Sequence, residues 1–495
     1  MPAATILLLA LPWLNPFSPG PTPSVPTWLF GWGCAAALLL IQALSSMQRP
    51  ARTAASGAWG IHVPKAWLLA ALLSVAIALL QYFGVSEHFS PWVNTTRAGE
   101  AFANLRQRNQ FATLANIGLA ALLWGVANAR LPRLHLAAAL VAAALLGAGN
   151  AASSSRTGAL QLLLLVGAAL SWQRQQWSSG AVVLRLAAVA VASYAIATVA
   201  LPLLVGLDPQ ATGLLGRVHE NVDACSSRKI LWANVLHLIA QRPWLGWGWG
   251  ELDYAHFVTL YPGERFCDLL DNAHNLPLHF AVELGVPFAL VFCGLCVALV
   301  VRAKPWAESV PHRQMAWAVI AVIALHSLLE YPLWYGPFQI AMLISIGMLW
   351  RSERKLPLAP VLQAGAAIVL IAIAGYVAWD YWRMSQLYLA SEQRASAYRD
   401  DTLAKLQDTR LFQDQVRFAE LSTTEVTAEN AEAMLVLSKK MLHFSPEPRV
   451  VEKLLQSAAI LGRADEVQFY AARYEAAFPA DYARWMASSG GQKAP

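Results

Sequence analysis

Long apolar runs recur down the first 380 residues of this 495-residue chain, and nothing else in it limits the fold as strongly. A run of about 20 apolar residues crosses the ~30 Å hydrocarbon core of a bilayer as a helix. Within that core only helices and closed barrels satisfy every backbone polar group. The runs fall at 3–14 (short, and interrupted by Pro12), 27–45, 65–82, 110–127, 134–150, 157–172, 185–204, 275–301, 314–333, 337–350 and 358–379. They predict an all-α polytopic membrane protein with about 11 transmembrane helices. With 57% hydrophobic and only 13% charged residues, an ordinary soluble domain is excluded. The first run lacks a basic n-region and a small-x-small cleavage site, so it is expected to remain a helix rather than act as a signal peptide.

Basic residues orient these spans. Alternate connections hold Arg49, Arg52 and Lys65; Arg130 and Arg133; Arg174 and Arg185; Arg302, Lys304 and Arg313; and Arg351, Arg354 and Lys355. All share one parity, which places them in the cytoplasm. The opposite face, periplasmic for a bacterial inner-membrane protein, then takes 15–26, 83–108, the Ser153-Ser154-Ser155-Arg156 turn, the loop 205–274, 330–337 and everything after Asp380. The net charge of +6 is explained by the cytoplasmic loops and asks for no nucleic-acid partner, only for membrane lipids.

Two regions are expected. Residues 1–379 form a transmembrane domain with one long periplasmic loop, 205–274. Residues 380–495 form a periplasmic helical domain, in which apolar residues recur at helical intervals over 430–444, 448–461 and 464–478, with breaks at Pro446, Pro448, Gly462 and Pro479. Helix pairs of this size are similar to tetratricopeptide repeats, although no clean period is visible. Long ordered loops tend to be functional, so 205–274 is the first place to look for chemistry. It carries Cys225 and Cys267, which an oxidising compartment would join in a disulfide. Cys34, Cys293 and Cys296 lie inside spans and read as packing.

Several polar residues stand where apolar ones would be cheaper. Arg156 follows three serines at the start of a span. A cation at a helix N-terminus opposes the helix dipole, so either an anionic ligand or lipid phosphates balance it. Arg228 and Lys229 follow Ser226 and Ser227, candidate N-caps of a helix with apolar positions at 231, 235, 236 and 239. Helix amides plus two cations suit a phosphate; a solvated basic helix end is the other reading. His274 follows Asp268 and Asp271 and opens the next apolar run, where it is either a proton acceptor oriented by a carboxylate or an interfacial structural residue. His326 and Glu330 lie one helical turn apart, just before Tyr331, as an acceptor-side pair or a structural brace. Trp244, Trp247 and Trp249 either stack on sugars or form an interfacial belt. Asp-x-Asp, His-Glu-x-x-His, Walker and Gly-x-Ser-x-Gly motifs are all missing from the sequence. Metal-dependent transferases, zinc proteases, NTPases and ordinary serine hydrolases are therefore poorly supported.

Five stretches taken in order carry a resemblance. Ser155-Arg156-Thr157-Gly158, Arg228 four residues before Trp232, Arg242-Pro-Trp-Leu-Gly-Trp-Gly248, His274-Asn275 and Glu283-Leu-Gly285 resemble the O-antigen ligase and polymerase superfamily. Arg106-Gln-Arg-Asn109-Gln110-Phe-Ala-Thr113 and His326-Ser-Leu-Leu-Glu330-Tyr331-Pro332-Leu-Trp-Tyr335 are similar to its protein O-oligosaccharyltransferase branch, which glycosylates pilins. The resemblance covers about 100–350. It implies a GT-C-type membrane glycosyltransferase that takes a preassembled oligosaccharide from undecaprenyl diphosphate. The glycan would pass en bloc, without metal or other cofactor, to Ser or Thr hydroxyls of an exported, pilin-like protein. It further implies that Arg156 and Arg228 bind the donor diphosphate and that His274 activates the acceptor or assists departure. Transfer to lipid A–core by an O-antigen ligase, or O-antigen polymerisation, is the nearest alternative. A transporter or flippase would call for discontinuous helices and inverted repeats near mid-membrane.

Overall fold

A computed structural model describes residues 2–47, 58–127, 132–173, 180–213, 224–350 and 359–488. The expected loop cations Arg49, Arg52, Arg130, Arg174, Arg351, Arg354 and Lys355 lie outside the described residues. Among those described, the chain is helical and contains no strand. Among the described residues, six helices are long and apolar enough to cross a membrane, at Ser24–Met47, His62–Tyr82, Arg133–Ala152, Gly180–Leu204, Val286–Ala307 and Ala359–Tyr388. The chain folds as two compact units, one from 1–220 with 299–376 and the other from 221–298 with 377–495.

The first unit contains α1 (Pro2–Leu14), α2 (Ser24–Met47), α3 (Ala58–Tyr82), α4 (Arg108–Gly125), α5 (Arg133–Ala152), α6 (Arg156–Gln173) and α7 (Gly180–Leu204). At its centre lies α4, where every residue from Gln110 to Trp124 is buried. A helix with no exposed stripe has neighbours on all sides, and α3, α5 and α6 pack against it. Its buried Gln110, Thr113 and Asn116 keep its hydropathy modest, and Thr113 and Asn116 hydrogen-bond to neighbouring helices. Gln81 braces the loop before α4: its buried amide donates to the carbonyls of Asn94 and Ala103 and accepts from the amides of Phe102 and Ala103.

The second unit takes in α8 (Arg228–Gln241), α9 (Leu252–Val258), α10 (Leu276–Leu284) and the start of α11 (Val286–Ala303). The expected span 275–301 is thus two helices broken at Gly285. The expected span 314–333 is also shorter: α12 (Pro311–Ser327) ends before a tight turn at Pro332–Trp334, as the proline requires. Two further apolar helices are α13 (Gly336–Leu349) and α14 (Ala359–Ser385). On α8 the buried face is Leu231, Val235 and Leu238 with Ile230 and Ile239, whereas Leu236, expected on that face, is exposed.

The tail folds into α15 (Gln413–Thr423), α16 (Ala431–Leu442), α17 (Pro448–Ile460), α18 (Ala464–Ala477) and α19 (Pro479–Ala487). Their shared core of Leu435, Leu442, Val451, Leu454 and Tyr474 also takes in Phe257 of α9. Arg473 of α18 donates to the Val258 carbonyl at 2.7 Å, and His443 stacks on Tyr254 while contacting Glu251 at 2.6 Å. Loop and tail therefore fold as one body.

Candidate functional site

In the first unit, Ser155 is the N-cap of α6. Its hydroxyl accepts from the Gly158 amide at 2.9 Å, which leaves Arg156 as the first helical residue with its side chain exposed. The turn before it is tightly held: Ser154 adopts a left-handed φ of 53°, and Ser153 donates to the Asn150 carbonyl at 2.5 Å. Asn116 and Asn150 both donate to the Gly158 carbonyl, at 3.0 and 3.1 Å. A Cβ on Gly158 would run into Asn150 Oδ1 and Ala112, so only glycine lets α4 and α5 approach this closely.

His326 and Glu330 are brought to the same polar layer. The His326 ring Nδ1 lies 2.9 Å from the Thr113 hydroxyl, which also takes a hydrogen bond from Gln161 at 2.9 Å. Glu330 is buried, and its carboxylate accepts from Asn109 at 3.1 Å and from Gln107 at 3.4 Å. Tyr331 beside it is half-buried and stacks near-parallel on Tyr335 with ring centroids 6.2 Å apart.

In the second unit, Ser227 caps α8 by accepting from the Ile230 amide at 3.4 Å, so Arg228 and Lys229 occupy its first turn. Arg228 is half-buried and Lys229 exposed. Cys225 and Cys267 are joined by a disulfide with Cα atoms 5.3 Å apart. Asn234 of α8 donates to the Glu264 carbonyl and accepts from the Phe266 amide, binding the middle of the loop to the helix. The Trp232 indole donates to the Ala273 carbonyl at 3.1 Å, which ties the helix opened by Arg228 to the turn carrying His274.

His274 itself has a left-handed φ of 49°, and its amide donates to the Asn272 side chain at 2.8 Å. A non-glycine residue there is strained, and such strain collects at functional sites. Asn275 then caps α10, accepting from the Leu278 amide at 3.1 Å. Desolvation raises the Asp271 carboxyl while the nearby His274 imidazole pulls it down.

Behind His274, sequence reasoning overlooked a buried pair on α10. His279 Nε2 and Glu283 Oε2 lie 3.5 Å apart. Burial, reinforced by His274, lowers His279 to about 4; burial raises Glu283 to about 7 against hydrogen bonds from the Gly250 and Leu252 amides. Their i, i+4 spacing in an otherwise apolar helix was the available signal.

The Trp-Gly stretch after α8 is backbone architecture. Trp247 and Gly248 amides donate to the carbonyls of Val282 and Glu283, at 2.9 and 3.0 Å, closing the end of α10. Trp247 is also bonded to the Leu238 carbonyl and stacked under Arg242, whereas Trp244 and Trp249 are exposed. Among the described residues, no three His, Cys, Asp or Glu side chains converge as metal ligands would.

Residues 141–293 match the O-antigen ligase family, and residues 101–124 match the protein glycosylation ligase segment. Residues 314–490 match the C-terminal part of virulence-factor membrane-bound polymerases. The general O-oligosaccharyltransferase of Acinetobacter baylyi is 25% identical over 348 residues, or 66% of this chain and 58% of that protein. The ComP-specific O-oligosaccharyltransferase of the same organism is 27% identical over 126 residues, 25% of this chain and 22% of that protein. The chain thus spans less than two thirds of these relatives. Arg156, Arg228, His274 and Glu283 fall in the ligase segment, α4 with Asn109 in the glycosylation segment, and His326, Glu330 and Tyr331 in the polymerase segment.

Proposed function

We propose that the chain is a membrane glycosyltransferase that moves a preassembled oligosaccharide from undecaprenyl diphosphate to Ser or Thr hydroxyls of an exported protein such as a pilin. The observation that carries this reading is a repeated device: Arg156 and Arg228 each begin a serine-capped helix. First-turn amides of a helix have no intrahelical acceptor. Together with a guanidinium they suit a doubly anionic leaving group. The two sites, with Lys229 beside the second, would hold the donor diphosphate and stabilise the charge it gains as the sugar departs.

In this mechanism the acceptor oxygen attacks the anomeric carbon, the bond from that carbon to the diphosphate breaks, and undecaprenyl diphosphate leaves. His274 takes the hydroxyl proton, as a neutral imidazole can. Fixed guanidiniums take the place of a divalent metal. The acceptor would approach the aromatic wall of Tyr331, with buried His326 and Glu330 behind it. The working face would be periplasmic in a bacterial inner membrane. The shorter apolar helices and polar α4 and α12 would bring the spans to about 11, residues 1–379 forming the transmembrane domain and 380–495 a periplasmic tetratricopeptide-like domain.

A host lacking its own ligases, supplied with one lipid-linked glycan, a pilin and lipid A–core, tests the proposal. Glycosylated pilin is the expected product. Glycan found on lipid A–core alone would make the chain an O-antigen ligase, and glycan on neither would reject transfer.

A further inference from the structure

A chain of hydrogen bonds runs from Glu330 to the first turn of α6. The Asn109 side-chain amide donates to Glu330 Oε1 at 3.1 Å. The Ser155 hydroxyl donates to Asn109 Oδ1 at 2.6 Å, and the Gly158 amide donates to that same hydroxyl at 2.9 Å. Each link has one polarity only. The Asn109 amide turns its NH2 toward the Glu330 carboxyl oxygen, which accepts. Its carbonyl then faces Ser155, and the single Ser155 proton is committed to it. The Ser155 lone pairs are left for the helix amide. Turning the Asn109 amide over would set its oxygen against the carboxylate.

Buried carboxylates are costly near membrane depth and are kept where they do something. Glu330 lies just past α12, Asn109 at the start of α4 and Ser155 just before α6, so three segments distant in sequence converge on one helix cap. Asn116 and Asn150 hold the Gly158 carbonyl from the other side. Arg156 sits between these two anchors. A long side chain serves a reacting group only when its own backbone is fixed.

We propose that Asn109 and Glu330 are positioning residues that fix the first turn of α6 and thereby aim Arg156 at the donor. The inference rests on the donor role of Arg156 proposed above, and it needs neither residue to touch substrate.

The polarity of the chain supplies the test. Asn109→Asp keeps the size and the acceptor toward Ser155 but sets a carboxylate against Glu330. Donor kcat/KM measured on the purified full-length protein with lipid-linked oligosaccharide should drop about tenfold or more, the scale of a buried polar group left without its partner. The loss should appear in the donor KM, with the acceptor KM unmoved. Adding Glu330→Gln returns a donor to the pair, and the double variant should recover most of the donor KM. Melting temperature and elution profile of each variant separate misfolding from misplacement. A folded Asn109→Asp protein with the wild-type donor KM would overturn the proposal, as would a double variant no better than the single one. If Arg156→Ala itself spares donor use, the donor reading fails first. If Arg156→Ala abolishes donor use while folded Asn109→Asp retains it, the positioning role alone fails.

Discussion

The Trp232 indole donates to the Ala273 carbonyl at 3.1 Å, four residues after Arg228 on one side and one residue before His274 on the other. This bond fixes the candidate base relative to a candidate donor ligand within a single packed core, in which Leu231, Val235, Ala273 and Val282 are all buried together. Proximity of this kind is what an active site needs from a loop.

Arg156→Ala and Arg228→Ala should each lower donor kcat/KM by roughly ten- to a hundredfold, since a charge-assisted hydrogen bond contributes about 1.5–3 kcal/mol. Lysine at either position should restore only part of the rate, because it lacks the planar fork. Steady-state kinetics with lipid-linked donor decide the matter, and full activity in both alanine variants would remove the diphosphate assignment.

His274→Ala should slow transfer by about 10²–10⁴-fold, the usual worth of a positioned base. Transfer should persist after EDTA treatment. A requirement for added Mg²⁺ or Mn²⁺, together with an unimpaired His274→Ala protein, would dismiss this mechanism.

Cys225 and Cys267 enclose 42 residues of sequence separation, for which chain entropy contributes roughly 4 kcal/mol. Thiol alkylation under denaturing, non-reducing conditions should label Cys34, Cys293 and Cys296 and leave these two unmodified. Cys225→Ser should lower the melting temperature. Labelling of both loop cysteines would show that the bridge does not form.

Gly285 has φ of 91°, and a Cβ there would collide with the Trp244 carbonyl. Gly285→Ala should therefore destabilise the protein by more than about 1 kcal/mol, beyond the usual cost of alanine at a positive φ. Gly294, on the next helix with open space around its Cβ position, is the control. Thermal melts of equal depth in the two variants would show that the Trp-Gly stretch does not bind the end of α10 as described.

Burial raises the Glu283 carboxyl to about 7 from its ordinary 4.5. Between those values the folded state holds a proton the unfolded chain has lost, so this group's contribution to stability declines as pH rises through that window. Glu283→Gln removes the decline. Its melting temperature relative to the unsubstituted protein should rise from pH 5 to pH 8, by the equivalent of on the order of 2 kcal/mol. A difference that stays constant across pH would mean that Glu283 titrates normally.

Much of the secondary structure is legible in the sequence because helix formation in apolar runs is decided locally. The runs at 27–45, 134–150 and 185–204 became Ser24–Met47, Arg133–Ala152 and Gly180–Leu204, and Ser227 and Asn275 cap their helices through groups within a few residues. The break at Gly285 was not legible, since hydropathy runs on unchanged through it. It arises from the carbonyl of Trp244, more than a full loop away, occupying the space a side chain would need. Leu236 looked equivalent to Val235 for the same reason: periodicity marks an apolar stripe, but the packing partner selects which edge of it is covered. Arg156, Arg228 and His274 stand out as charged or titratable residues at the ends of apolar runs. The roles of Asn109 and Ser155 and the burial of the His279–Glu283 pair do not, because they consist of bonds to groups far off in sequence or of burial that only packing creates. A neutral amide or hydroxyl carries no net charge to mark it. Its direction of donation, and so its effect on Arg156, was settled only when α4, α6 and the end of α12 came together around it.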